Sequence, residues 1–250
     1  MYIKDNMIYL EKEEIDKIKK KGTKKITGTN FGCLLGKNSF KKKGDAVLDM
    51  FRVLPKEEID PFYTKRGDIA EKLIHRLLML QNFTFKTWDA QTIKYDNFPK
   101  DTEFGGLLDI GISAPKRAVG EVKSANISRK EHLLANESYI CQGELYCELS
   151  KTPNLIMFYV MFTDEEEERI ENDTFVLSKE QVEIMLKEER IMTKIIDVDF
   201  EKVRENKQTA LEYKEECMYL YDYGVPLEDV SSYLIEKLGL KVDKEEELLF

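Results

Sequence analysis

The chain has 250 residues, 42% hydrophobic and 10% aromatic, with a formal net charge of −9. That is enough apolar material for one sizeable core, and no run approaches the ~20 apolar residues a membrane-spanning helix needs. Met1-Tyr2-Ile3-Lys4-Asp5 is not the start of a signal peptide, so a cytoplasmic location is expected.

Residues 1–25 read as a polar, basic lead-in, helical or mobile. Ile26-Thr27-Gly28-Thr29-Asn30-Phe31 opens the core, and 41–60 is a charged connection with a helical patch at 46–51. A helix is predicted over about 61–81, with Ala70, Leu73, Ile74, Leu77 and Leu78 on its core face. Glu71 lies at the border of that face. It is either a boundary residue reaching solvent or a ligand pointing into a cleft. Residues 83–88 and 92–95 alternate as strands.

Two strands follow. Gly105-Gly106-Leu107-Leu108-Asp109-Ile110-Gly111-Ile112 places one acid in an apolar run, where acids are rare unless paired or metal-bound. Gly120-Glu121-Val122-Lys123-Ser124 places Glu121 and Lys123 on one face, because side chains alternate along a strand. If the two strands pair as a hairpin, Asp109 reaches that face as well. The carboxylates of Asp109 and Glu121 then suit a hard divalent cation, the Val122 carbonyl offers a third oxygen, and Lys123 stands beside the bound water. For Glu-x-Lys taken alone, a solvated cross-strand ion pair is the commoner outcome.

Residues 128–150 are mostly helical, and Tyr139, Gln142, Tyr146 and Leu149 share one stripe. An uninterrupted apolar run, 155–162, fits a strand buried on both faces of a mixed sheet. Residues 164–168 read as an acidic solvated turn and 175–177 as an edge strand. Ser178 to Gln181 is a capping box for a helix ending near Arg190. From about residue 199 the pattern is helical and charged, with tyrosines at 213, 219, 221 and 223 that serve packing, base stacking or oligomer contact.

Taken in order, the Gly-x-x-x-Glu helix, the Asp strand, the Glu-x-Lys strand and the Gln-x-x-x-Tyr helix resemble the PD-(D/E)XK nuclease superfamily. Within it, the chain looks most like the YqaJ viral recombinases and lambda-type phage exonucleases. The likeness begins at Ile26-Thr27-Gly28-Thr29, passes through Arg66-Gly67 and ends near Tyr146. It implies an α/β fold with a restriction-endonuclease-like core, a central mixed sheet flanked by helices, and a helical C-terminal extension. As a single domain, this divides into the lead-in 1–25, a nuclease core 26–177 and the extension 178–250.

The resemblance further implies that Glu71, Asp109 and Glu121 hold or orient metal and that Lys123 assists the water. It gives Gln142 and Tyr146 supporting catalytic roles and brings Thr29 near the DNA backbone. Leu108 stands where the superfamily name has Pro, which changes no ligand. The lambda-type arginine upstream of Ile26 is missing, and Lys21, Lys24 and Lys25 occupy that region as candidate DNA contacts. The implied cofactor is Mg2+, with Mn2+ able to substitute.

The implied function is exonucleolytic hydrolysis of linear duplex DNA in phage-type recombination. A single-strand annealing protein is the implied partner and a trimer the implied assembly. The alternatives are an endonuclease or RecB-like repair nuclease of the same superfamily, or a non-catalytic DNA-binding protein on this fold.

The charge is unevenly spread. Residues 1–43 hold 12 Lys against 5 Asp and Glu, a surplus of +7, and the remainder carries −16. The basic tract either leads duplex DNA to a cleft or is simply solvated. Cys33, Cys141, Cys147 and Cys217 are too scattered for zinc, and no iron–sulfur cluster is expected. His75 and His132 cannot make a metal site by themselves, and a structural role is expected for His75.

Overall fold

The computed structural model describes residues 1–55 and 60–240. Its first residues carry more regular structure than expected. Asp5 and Asn6 take φ of 49° and 56°, the left-handed pair that a two-residue type I′ turn requires. Tyr2–Lys4 (β1) and Met7–Tyr9 (β2) therefore fold back as a hairpin. A strand from the far end of the chain, Gly224–Pro226, adds to β2 and completes a three-stranded sheet.

Helices α1 (Lys12–Lys21), α2 (Gly28–Leu34), α3 (Lys43–Met50) and α4 (Pro61–Leu80) follow. Asp60 caps α4 by accepting from the Phe62 amide at 2.9 Å. Pro61 fills the first turn, where its missing N–H costs nothing. The expected apolar stripe of α4 is its buried face.

The central sheet is mixed. Thr84–Lys86 (β3), Ile110–Ala114 (β4), Ala118–Asn126 (β5), Asn154–Phe162 (β6) and Ile191–Asp197 (β7) lie side by side in that order. Strands β5 and β6 are parallel, from Val119 opposite Leu155 to Asn126 opposite Phe162, and the other neighbours are antiparallel. The crossover from β5 to β6 carries α5 (Lys130–Ala135) and α6 (Glu137–Ser150).

Alternation divides the sheet between two cores. Val119, Ala125, Leu155, Met157, Tyr159 and Met161 pack with α2, α3 and α6. Ala118, Val122, Phe158, Val160 and Phe162 pack with α4 and with α7 (Asp164–Glu171) and α8 (Lys179–Lys187). By the two-residue repeat, Glu121 and Lys123 share the first face. Helices α9 (Phe200–Glu215) and α10 (Ser232–Lys237) supply the helical C-terminal region.

Several local expectations are corrected. Residues 92–95 are a turn: Asp89 accepts from the Thr92 amide and hydroxyl, and Lys94 and Tyr95 are left-handed, so local capping overrides the alternation. The acidic stretch at 164–168 is the first turn of α7, capped by Thr163, where carboxylates complement the helix dipole. Residues 175–177 form no strand. That edge of the sheet is β7, which occupies the gap between the helix expected to end near Arg190 and the helical pattern expected from about 199. Strand β4 begins at Ile110, so Asp109 ends an irregular segment and lies just outside the strand. Positions 241–250 of the expected extension lie outside the described residues.

Candidate active site

Glu121 is the centre of the site. It sits in the middle of β5 with 0% exposure. Its Oε2 accepts from Gln142 Nε2 at 2.9 Å and from Lys123 Nζ at 3.2 Å. Its Oε1 is buried with no partner, an unsatisfied acceptor that costs free energy unless a proton or a cation answers it. Burial, and then the Asp109 carboxylate, push the Glu121 carboxyl up from 4.5 to about 8.

Asp109 follows from the strand pairing. Ile110 lies opposite Gly120 in antiparallel register, so one further step brings Asp109 opposite Glu121. One Asp109 oxygen, Oδ2, accepts from the Val122 amide at 2.8 Å, which fixes the side chain across the two strands. Glu71, on α4, is half-buried. Its carboxyl is raised to about 7 by burial first and then by Asp109 and Asp68. Arg66, near the start of α4, donates to the Ser124 carbonyl at the end of β5 and to Glu167 on α7. That clamp holds the helix bearing Glu71 against the strand bearing Glu121.

Lys123 is 16% exposed. Burial alone favours the neutral amine, but Glu121 and Asp109 outweigh it and Lys123 holds its proton more tightly than an exposed lysine. Two tyrosines that sequence reasoning did not connect with Lys123 surround it. The Tyr139 ring lies 5.5 Å from Nζ. Tyr159 stands opposite Lys123 in the β5–β6 register, and its hydroxyl is buried without a partner. Tyr139 shares the α6 stripe with Gln142, a signal the sequence already contained. Tyr159 is hidden in an apolar run.

The amide of Gln142 donates one hydrogen bond to Glu121, so this side chain orients a carboxylate of the site. Tyr146 is a buried pillar, 4% exposed. Burial raises its hydroxyl above the usual phenol range, against the pull of the Gly28 and Leu107 backbone amides. A Cβ on Gly106 would sit 2.2 Å from that hydroxyl oxygen and one on Gly28 2.9 Å from it. Close approach at both places requires glycine, and Gly106 also has φ of +142°.

The candidate DNA contacts separate. Thr29 is exposed on the first turn of α2 and Lys21 is exposed at the end of α1. Lys24 pairs with Asp49 at 2.7 Å, and Lys25 with Asp96 at 2.7 Å. His75 stacks on Phe85 with ring centres 5.4 Å apart, and all four cysteines are buried free thiols. A cavity of about 690 Å3 lies between Asn30, Phe40, Asp49, Arg52 and Tyr233, and Glu121 does not line it.

Among the described residues, no three His, Cys, Asp or Glu side chains already enclose a point where an ion would sit. The donor set is an open one. Two carboxylates approach from one side, one with an unanswered buried oxygen, and a lysine stands beside them. Magnesium is commonly held this way, keeping waters and substrate oxygens as its other ligands. Among the described residues no helix is long and apolar enough to cross a membrane.

The architecture is that of the restriction-endonuclease-like α/β proteins. The solved alkaline exonuclease LHK-Exo from Laribacter hongkongensis has this fold: TM-score 0.54 and 11% identity over 86% of this chain and 93% of that one. Its complex with dAMP superposes with TM-score 0.55. A phage-related exonuclease from Haemophilus somnus 129PT gives TM-score 0.53 and 17% identity over 78% of this chain and 96% of that one. At such identities the likeness is one of fold.

No family model matches the chain. The uncharacterized protein MG373 of Mycoplasma genitalium is 33% identical over 87 residues, 34% of this chain and 31% of that protein. Its Mycoplasma pneumoniae homolog is 30% identical over 106 residues, 42% of this chain and 37% of that protein. The chain thus spans about a third of the length of these curated relatives.

Proposed function

We propose that this protein is a magnesium-dependent deoxyribonuclease that hydrolyses phosphodiester bonds of linear duplex DNA from an end. The single observation that carries the reading is the buried Glu121 carboxylate, with one oxygen unanswered, set between Lys123 and Asp109. The fold shared with proteins named as exonucleases supports it.

In this reading Asp109 and Glu121 hold the ion, the Val122 carbonyl adds an oxygen, and Glu71 stands at the rim. The ion, when bound, acidifies a water and offsets the charge that builds on the phosphate. Mn2+ is expected to replace Mg2+. Lys123 orients the attacking water and stabilises the developing anion. Gln142 keeps Glu121 in one rotamer, and Tyr146 supports the segment that ends in Asp109. Thr29 and Lys21 contact the DNA backbone. A cytoplasmic location, an annealing-protein partner, a trimeric ring and a role in end resection belong to the same proposal and rest on the family resemblance.

The test is incubation with end-labelled linear duplexes and with closed circular duplex, with and without magnesium. The proposal expects magnesium-dependent loss of linear DNA and intact circles. Cleaved circles overturn the end-dependent reading in favour of an endonuclease, and no cleavage under any divalent condition overturns the enzyme reading.

A further inference from the structure

Asp109 closes a five-residue segment, 105–109, that belongs to no helix or strand. Yet each residue in it is tied. The Gly105 amide donates to the Ile26 carbonyl at 3.1 Å, and the Gly106 carbonyl accepts from the Asn97 amide at 2.8 Å. The Gly106 amide reaches Asp96 Oδ1 at 3.3 Å, and the Leu108 amide donates to Asn97 Oδ1 at 2.7 Å. The Leu107 backbone amide faces the Tyr146 hydroxyl. Asp109 itself ends on the Val122 amide.

Two adjacent residues, Asp96 and Asn97, thus make three of these contacts from about ten positions upstream. Asp96 is itself held. Lys25 Nζ donates to its Oδ2 at 2.7 Å and to the Phe98 carbonyl at 3.0 Å, while the Phe98 amide donates to its Oδ1 at 2.8 Å. The Lys25 stem also covers the segment, since a Cβ on Gly105 would lie 2.9 Å from Lys25 Cδ. Two successive glycines lose more backbone freedom on ordering than other residues do. A metal ligand at the end of such a stretch stays in place only if other groups supply the order.

We propose that Lys25, Asp96 and Asn97 form a latch that positions Asp109 for the ion, so that Lys25 serves this purpose and does not grip DNA phosphate. The inference rests on the nuclease reading of the site. Asn97 is the closest member, since it binds the amide one residue before Asp109. Groups that orient metal ligands typically change metal affinity or activity by ~10–100-fold when removed.

The test compares wild type, Asn97→Ala and Asn97→Asp. It measures magnesium binding by calorimetry, the magnesium concentration for half-maximal cleavage, and DNA binding in EDTA. Asn97→Ala should weaken magnesium about tenfold or more and leave DNA binding unchanged. Asn97→Asp keeps the acceptor for the Leu108 amide and should stay within about threefold of wild type. Should Asn97→Ala fail to fold, Asp96→Asn, which weakens the Lys25 pair and the hold on Gly106, carries the same comparison. Wild-type magnesium affinity in the variant overturns the latch alone, whatever its melting temperature. Absence of magnesium binding in the wild type overturns the nuclease reading, and the latch with it.

Discussion

Replacing Glu121 by Gln tests the electrostatics of the site without reference to turnover. In the folded protein the Glu121 carboxyl is pushed up from 4.5 to about 8. Between those values the folded chain binds a proton that the unfolded chain has released. This group therefore lowers stability as pH rises from 4.5 towards 8, and its full cost is present above 8. At about 1.4 kcal/mol per pH unit that cost is on the order of 5 kcal/mol. The amide introduced by Glu121→Gln cannot ionise, so the variant lacks this slope, although Lys123 loses its partner at every pH.

The assay is urea unfolding in EDTA at pH 5.5 and pH 8.5. The wild type should lose stability relative to Glu121→Gln by several kcal/mol between the two conditions, equivalent to roughly 10 °C in Tm for a chain of this size. Added magnesium should restore the wild type at pH 8.5 and leave the variant unchanged, because a ligand that binds only the folded state stabilises it. Parallel pH profiles for the two proteins would refute the reasoning.

Other outcomes follow from the same geometry. Lys123→Ala and Asp109→Asn should each abolish magnesium-dependent cleavage while leaving DNA binding in EDTA; Lys123→Ala with undiminished turnover removes the lysine from the mechanism. Gly106→Ala would place a Cβ 2.2 Å from the Tyr146 hydroxyl oxygen and should cost about 2 kcal/mol or more in urea unfolding, part of it recovered by adding Tyr146→Phe. No recovery in that double variant means the hydroxyl is not the obstacle. Lys21→Ala should lower the slope of log affinity against log salt for duplex DNA by about one. Lys24→Ala, whose amine is paired with Asp49, should leave that slope unchanged.

The sequence made much of this layout readable for identifiable reasons. An acid in an otherwise apolar run marks Asp109. The two-residue period joins Glu121 to Lys123, and the turn between their strands lets the hairpin bring Asp109 opposite. The spacing of four puts Gln142 and Tyr146 on one stripe. Their division of labour was not readable, because Tyr146 meets its partners, Gly28 and Gly106, only through the tertiary fold. Asp96 and Asn97 were invisible for a similar reason: their targets are backbone amides, which leave no pattern in side-chain identity. Strand β7 was missed because Thr193, Lys194 and Ile195 are all exposed on an edge, so neither period shows. The Lys25–Asp96 pair was hidden likewise, its members lying 71 positions apart in the chain.

Diffraction from crystals soaked in Mn2+, with anomalous scattering locating the ion, tests the central claim most directly. The account predicts one peak within direct coordination distance of oxygens of both Asp109 and Glu121, with Lys123 alongside and Oε1 of Glu121 engaged. Crystals that bind manganese elsewhere while that oxygen stays unpartnered would contradict it.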